Sequence, residues 1–292
     1  TNAQVLALPA TTIDSVPATV IDNLTDAEVA SLSDAQLAAL TSDQMAAMAT
    51  AGNLDNLTNA QVLALPASTI DSVPATVIDN LTDAEVAGLS DAQLAALTPA
   101  QIVAMETAGN LDNLTAAQIS KLAPLTIAAL SDATMAAMAT AGKLDNLTNA
   151  QVLALPATTI DSVPADVIDN LTDAEVASLS DAQLAALTPA QIVAMESAGN
   201  LDNLTAAQIS KLAPETIAAL SDATMAALAT AGKLANLTPA QVAALPASTI
   251  DSVPTTVLAT LTDAQVASLT TAQLAALSDA TMAALATAGK LA

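Results

Sequence analysis

The chain repeats a unit of eight residues along almost its whole length, and this period limits the folds that it can adopt. From Leu81 the sequence reads LTDAEVAG, LSDAQLAA and LTPAQIVA, followed by the nonamer METAGNLDN. Six octads and a nonamer form the longer of two kinds of block, as in residues 57–113. Three octads and a nonamer form the shorter kind, as in residues 114–146. A repeat this short buries its apolar side chains only by stacking on its neighbours.

Pairs of blocks are themselves repeated. Residues 57–146 and 147–236 align without gaps over 90 positions and differ at only seven of them. We therefore predict one continuous repeat array over residues 1–292, which is either an excerpt of a longer chain or a filament subunit. Its blocks are 1–56, 57–113, 114–146, 147–203, 204–236 and 237–292.

Each octad carries the start signals of a short helix. In the octad Leu32–Ala39, Ser33 is a good N-cap residue, and Gln36 stands three residues later, at the capping-box spacing. Leu32 and Leu37 match the hydrophobic staple around such a cap. The same signals begin again at Leu40-Thr41, so each octad is predicted to form one short helix. Large apolar residues at octad positions one and six would form a narrow continuous core.

Differences between the two aligned copies identify an exposed position. Octad position four changes from Leu125 to Glu215 and from Thr76 to Asp166 in otherwise nearly identical surroundings. An apolar residue that is exchanged for a carboxylate in this way does not belong to the core. We predict that position four faces solvent. The methionines at positions one and six are predicted to fill the core, and they include Met45, Met48, Met105 and Met135.

Proline and glycine support the same interpretation. All 13 prolines lie at octad position two or three, where the first helical residue tolerates the missing N–H group. Six of the seven glycines lie in the nonamers, in the context AG[NK]L. There the last octad and the nonamer are predicted to fuse into a longer helix from Asp132 to Ala141, with Gly142 as the left-handed residue that ends it.

The predicted fold class is all-α, an elongated solenoid of tandem short helices, and the alternative is a β-solenoid. Positions one and six have opposite parity, so a straight strand would direct their apolar side chains to opposite faces. The many alanines also disfavour strands.

The composition excludes several classes of function. The sequence has no Cys, His, Phe, Trp or Tyr, which removes thiol and histidine chemistry, the common transition-metal sites and aromatic stacking platforms. Its 29 acidic residues against five lysines give a net charge of −24, which repels nucleic acid and anionic membranes. No apolar run approaches the ~18 residues that a membrane span needs. We assign no catalytic, cofactor-binding or metal-binding residue and predict that the chain is not an enzyme.

The run LSDAQLAALTPAQIVAM, from Leu89 to Met105, resembles the LTxAQVxAL octad arrays of very large secreted bacterial surface proteins of the adhesin type. The resemblance covers essentially the whole chain. It implies an extracellular or cell-surface structural segment, such as a filament, stalk or adhesin shaft. From the near-identical repetition itself we predict that its partners are other copies of the chain or further repeats of the same chain, with coils stacked end to end.

An alternative function is that of an acidic binding or matrix protein that responds to divalent cations. Carboxylate oxygens are the ligands that calcium prefers, although no EF-hand or nonapeptide calcium motif is present. An ice- or mineral-binding surface made by the threonines at position two is a weaker alternative, because these threonines are already needed as helix caps. The acids that could bind calcium in the first alternative lie at the ends of repeat units, and they are Asp22, Asp55, Asp79, Asp112, Asp169 and Asp202.

Eight Asn-Leu-Thr sequences match the N-glycosylation acceptor motif. The same tripeptide also arises because Leu-Thr begins an octad and Asn suits the turn before it. The sequence leaves both interpretations open. The eight asparagines are Asn23, Asn56, Asn80, Asn113, Asn146, Asn170, Asn203 and Asn236.

Overall fold

The computed structural model describes residues 1–291, and in this range the chain is a helical solenoid without any β-strand. The predicted all-α class is confirmed, and the β-solenoid alternative is not supported. The chain divides into two compact units, of which the first spans residues 1–155 and the second begins at Pro156. This boundary lies inside an octad, not between two blocks. The prediction of one continuous array stays a prediction.

The first unit contains 16 α-helices, most of them four to six residues long. Their bounds are α1 Asn2–Leu6, α2 Ala10–Ile13, α3 Ala18–Ile21, α4 Asp26–Val29, α5 Asp34–Ala38, α6 Ser42–Ala51, α7 Asn59–Ala64, α8 Ala67–Ile70, α9 Ala75–Ile78, α10 Asp83–Ala87, α11 Asp91–Ala96, α12 Pro99–Ala108, α13 Ala116–Ile119, α14 Pro124–Ile127, α15 Asp132–Thr140 and α16 Asn149–Ala154.

The described part of the second unit contains 13 further α-helices and two 3₁₀ turns, Asn200–Asn203 and Ile250–Ser252. The helices are α17 Ala157–Ile160, α18 Ala165–Ile168, α19 Asp173–Ser178, α20 Asp181–Ala186, α21 Pro189–Ala198, α22 Ala206–Ile209, α23 Pro214–Ala218, α24 Asp222–Thr230, α25 Pro239–Ala244, α26 Thr255–Leu258, α27 Asp263–Ala267, α28 Thr271–Ala276 and α29 Asp279–Thr287.

Within each unit, one coil of the solenoid consists of three elements. Helix α5 packs on α2, α6 on α3, α11 on α8 and α12 on α9, and in the second unit α20 packs on α17 and α21 on α18. In each of these pairs, the first residues of the two helices are separated by three octads. Three octads therefore make one coil, which the octad period by itself does not reveal.

Each nonamer takes the place of one octad among the three elements of a coil. Helix α7 packs on α5 and α16 packs on α14, and the helices of each pair begin three octads and one residue apart because a nonamer lies between them. In the second unit the 3₁₀ turn Asn200–Asn203, which belongs to a nonamer, packs on α19. In the first unit Asn110, the counterpart of Asn200, donates hydrogen bonds from Nδ2 to the carbonyl oxygens of Asp79, at 2.9 Å, and Leu81, at 2.7 Å. A coil that includes a nonamer thus remains joined to the coil below it.

The core consists of the predicted positions. In α14 and the turn before it, Leu122 at position one and Ile127 at position six are buried, whereas Leu125 at position four is 72% exposed. Asp166 and Glu215, both at position four, are exposed as well. The methionines predicted to fill the core, Met45, Met48, Met105 and Met135, are all fully buried.

Helix starts follow the predicted code, with one correction. The backbone N–H of Gln36 donates to Ser33 Oγ, and the N–H of Ser33 donates to Gln36 Oε1 at 2.9 Å, which completes a capping box. Prolines at position three, such as Pro99, occupy the first helical position as predicted. Prolines at position two, such as Pro74, are instead the N-cap residue itself. Their fixed φ suits the extended N-cap conformation, and no N–H group is left there to be capped.

Glycines end the long helices. The predicted helix from Asp132 to Ala141 is observed as α15, Asp132–Thr140, with Ala141 as C-cap and Gly142 at a φ of +66°. The equivalent Gly109 follows α12 at a φ of +79°. Both adopt the left-handed conformation that the AG[NK]L context predicts.

We expect Gly109→Ala to lower the free energy of unfolding by roughly 1–2 kcal/mol, because an L-residue is strained at this positive φ. No atom lies within 4 Å of the Cβ that the substitution adds, so the loss isolates the backbone strain. The control is Gly88→Ser, since Gly88 has a negative φ and the second copy carries Ser178 there. Urea unfolding of both variants measures the difference, and equal stabilities would contradict the assignment.

Candidate stacking site between coils

Glutamine at the third helical position joins one coil to the next. Gln101 in α12 accepts a hydrogen bond from the backbone N–H of Thr98 through Oε1, at 2.8 Å. Its Nε2 donates to the carbonyl oxygens of Ile70 and Val73 in the coil below, both at 2.8 Å. The side chain is 1% exposed. One amide group thus caps its own helix and also binds two backbone oxygens at the end of another helix.

The contact recurs along the array at glutamines in the third helical position. The bonds satisfy carbonyl groups that a helix of four to six residues leaves without an intrahelical partner. They join residues 28–32 positions apart, and their donors are Gln36, Gln44, Gln61, Gln93, Gln101, Gln118, Gln151, Gln191, Gln208, Gln241 and Gln273. The sequence predicted only the capping half of this role.

A second kind of contact replaces it where the third helical residue is glutamate. In α10, Glu85 Oε2 accepts from the backbone N–H of Thr82 at 2.8 Å and from Asn59 Nδ2 at 2.7 Å. Asn59 lies in α7, in the coil below, and its Nδ2 also donates to the carbonyl oxygen of Asn80 at 3.0 Å. A carboxylate has no hydrogen to donate, so the donor of this contact belongs to the lower coil.

A third kind of contact serves the helices that begin Ser-Asp-Ala-Thr. Their third helical residue is threonine, which is too short to accept from the N-cap N–H. In α15 the N–H of Ser131 donates to Glu106 Oε1 at 3.2 Å, and the hydroxyl of Thr134 donates to the same oxygen. In α29, Asp251 Oδ1 accepts from the N–H of Ser278 at 2.8 Å. An acid of the lower coil therefore completes the cap. In the described residues no buried side-chain nitrogen or oxygen lacks a partner.

Most of the remaining acids lie on the surface as helix caps and turns. Six aspartates occupy the first position of their helices, namely Asp26, Asp34, Asp83, Asp91, Asp173 and Asp181. Two of them form exposed ion pairs, Asp91 with Lys121 at 3.3 Å and Asp181 with Lys211 at 2.9 Å. Over residues 1–291, no three acidic side chains converge in a way that could bind a metal ion. The unit-end acids, considered as calcium ligands, therefore form no such group within this range.

Two equivalent grooves of about 210 Å³ accompany the long helices α15 and α24. Each is lined by two or three alanines, by a single threonine, Thr134 or Thr224, and by an aspartate of the nonamer in the coil below, Asp112 or Asp202. The eight asparagines of the Asn-Leu-Thr sequences are all exposed. This exposure is compatible with either interpretation of the motif.

We expect the contacts made by Glu106 to be lost in acid. Burial raises the pKa of the Glu106 carboxyl, but hydrogen bonds from Ser131 and Thr134 outweigh it and leave the pKa lowered. A lowered pKa in the folded state adds stability that is complete above the usual value near 4.5 and is lost as the pH falls through the lowered pKa.

The test is Glu106→Gln, compared with the parent chain in thermal unfolding from pH 7 down to pH 3. The variant should be less stable at pH 7, and the difference should shrink towards zero as the pH falls below about 4.5. The difference, not the absolute stability, is the readout, because acid also relieves the repulsion among 29 acidic groups. A difference that does not vary with pH would contradict the role of the carboxylate.

No protein-family model matches the chain, and the search of curated proteins finds no match either. None of the helices in residues 1–291 is both long and apolar enough to cross a membrane.

Proposed function

We propose that the chain is a non-enzymatic extracellular structural protein, a filament, stalk or adhesin shaft that extends by stacking coils. One observation carries the proposal: the same glutamine contact between coils is found at equivalent positions in both copies of the repeated segment. Gln101 binds the carbonyl oxygens of Ile70 and Val73 at 2.8 Å, and in the second copy Gln191 binds those of Ile160 and Val163 at 2.8 Å. A contact that uses backbone oxygens allows any number of coils to be added.

The surface chemistry supports a structural role. A catalytic or specific binding site needs a unique set of converging groups, whereas here the exposed acids and threonines repeat from coil to coil. A net charge of −24 keeps such arrays hydrated and apart from one another. The resemblance of residues 89–105 to the octad arrays of secreted surface proteins supports the extracellular location.

Chains with different numbers of the 90-residue segment 57–146 test the structural role. One variant lacks residues 57–146 and another carries this segment twice. Helicity per residue should stay constant, and the maximum dimension measured by small-angle X-ray scattering should change by the same increment for each copy. Loss of folding in either variant, or a dimension independent of copy number, would contradict the proposal.

The location is tested on intact cells of the source organism. A protease added outside the cells should remove the chain, while a cytoplasmic marker stays intact. Survival of the chain until the cells are lysed would reject the extracellular assignment and leave the stacking results unaffected.

The second candidate function, a response to divalent cations, is favoured by the many exposed carboxylates. It predicts a melting temperature that rises in millimolar calcium and falls back in EDTA. Because no three acidic side chains converge within residues 1–291, any such response should be graded and unselective between calcium and magnesium. An unchanged melting curve would remove this candidate.

A further inference from the structure

We propose that two of the three kinds of contact between coils form a pairing code that fixes which coil stacks on which. The glutamine contact cannot do this, because Gln101 and its equivalents bind only backbone oxygens, which every coil presents. The glutamate and threonine contacts need a particular side chain in the coil below. The inference concerns the register of the array and does not depend on the proposed extracellular role.

The first pair of the code is asparagine with glutamate. Asn2 Nδ2 donates to Glu28 Oε2 at 2.7 Å, and Asn59 Nδ2 donates to Glu85 Oε2 at the same distance. If α10 slipped by one octad and stacked on α8, Glu85 would face Ala67, the first residue of that helix, in place of an asparagine. The carboxylate would then keep the donors of Thr82 but lose its donor in the lower coil, so the slipped register is disfavoured.

Elsewhere in the sequence, both members of this pair are replaced together. Helix α25 has Pro239 at the position of Asn59, and α27 has Gln265 at the position of Glu85. The separation of the two residues along the chain is the same in both cases. Where the lower helix has proline and therefore no side-chain donor, the upper helix thus has glutamine in place of glutamate. Gln265 Oε1 accepts a hydrogen bond from the backbone N–H of Thr262 at 2.8 Å, which caps its own helix.

The second pair is an acid in the nonamer with the serine cap of the helix above it. Glu106 and Glu196 each accept from the N–H of a serine, Ser131 and Ser221 respectively, at 3.2 Å. In three other nonamers the acid is replaced by alanine, and the residue at the serine position above is proline. These exchanged pairs are Ala49 with Pro74, Ala139 with Pro164 and Ala229 with Pro254. Proline has no N–H group, so an acid below it would have no cap to complete.

A four-member thermodynamic cycle on the full chain tests the first pair. Its members are the parent chain, Asn59→Pro, Glu85→Gln and the double variant, which transplants the Pro239–Gln265 pair into the first unit. We expect Asn59→Pro to lower the urea midpoint when residue 85 is Glu and to lower it much less when residue 85 is Gln. The double variant should therefore be more stable than Asn59→Pro alone.

Additive effects of the two substitutions would overturn the code, as would a double variant that is no more stable than Asn59→Pro or that does not fold.

A second comparison tests the nonamer pair. Glu106→Ala should lower the melting temperature, whereas Ala49→Glu should not raise it, because Pro74 offers no N–H group above it. A rise with Ala49→Glu equal to the loss with Glu106→Ala would show that the acid acts without its partner.

Discussion

Replacing Gln101 with glutamate should lower the free energy of unfolding by about 3–5 kcal/mol, the largest effect of any single polar substitution that we expect. The substitution keeps the size of the side chain and its capping oxygen, but it removes both hydrogen bonds to Ile70 and Val73. It also places a negative charge against two carbonyl oxygens at a site that is 1% exposed. A buried charge without a partner costs several kcal/mol, and the loss of the hydrogen bond to the Val73 carbonyl adds to that cost, whereas the Ile70 carbonyl still accepts from the N–H of Val73 at 3.1 Å.

Gln4→Glu is the matched control. Gln4 occupies the same helical position in α1, but its side chain is exposed and its Oε1 accepts from the amino group of Thr1. We expect this variant to change the unfolding free energy by less than about 0.5 kcal/mol. Urea unfolding followed by circular dichroism measures both variants. If Gln101→Glu were as mild as Gln4→Glu, the glutamine contact would not hold the coils together.

The second large effect is expected in the core. Ile127→Ala in α14 should lower the unfolding free energy by about 2–5 kcal/mol, because Ile127 is fully buried and its removal leaves a cavity in a narrow core. A narrow core that receives only two large side chains from an octad such as this one, Leu122 and Ile127, has few neighbours that can move into the space.

The same helix supplies the control for this prediction. Leu125 lies two residues earlier, is 72% exposed and is replaced by Glu215 in the second copy. Leu125→Glu should therefore leave the stability unchanged within about 0.5 kcal/mol. Thermal and urea unfolding of the two variants compare the two faces of one helix. Similar losses for both substitutions would contradict the assignment of positions four and six.

Local features of the fold could be predicted from the sequence because their causes lie within one octad. Ser33 and Gln36 specify a cap, Leu122 and Ile127 specify the core, and Gly142 specifies a left-handed helix end. Each of these depends on residues at most a few positions apart. The helical fold class follows from them.

The coil could not be predicted from the octad period, because the period is the same for any number of octads per turn. The long-range role of Gln101 was also missed, since the capping box already explained a glutamine at that position. A trace of the contacts between coils was nevertheless present in the sequence. The pair Glu106 and Ser131 is exchanged for Ala49 and Pro74 at the same separation along the chain. Such matched exchanges at a fixed separation reveal contacts between coils.

Distances between spin labels test the central claim, that three elements make one coil. Thr76 in α9 and Ala100 in α12 are exposed position-four residues on helices that stack, and Ala92 in α11 is an exposed position-four residue on a helix that does not pack on α9 in this way. The chain has no cysteine, so labels can be placed by substitution to cysteine in pairs. Stacked helices lie about 8–10 Å apart, which is close enough for strong dipolar broadening in continuous-wave electron paramagnetic resonance.

We predict strong broadening for the pair at positions 76 and 100, which are three octads apart, and much weaker broadening for the pair at positions 76 and 92, which are two octads apart. The reverse order, or no broadening at a separation of three octads, would contradict the three-element coil and the glutamine contacts that depend on it.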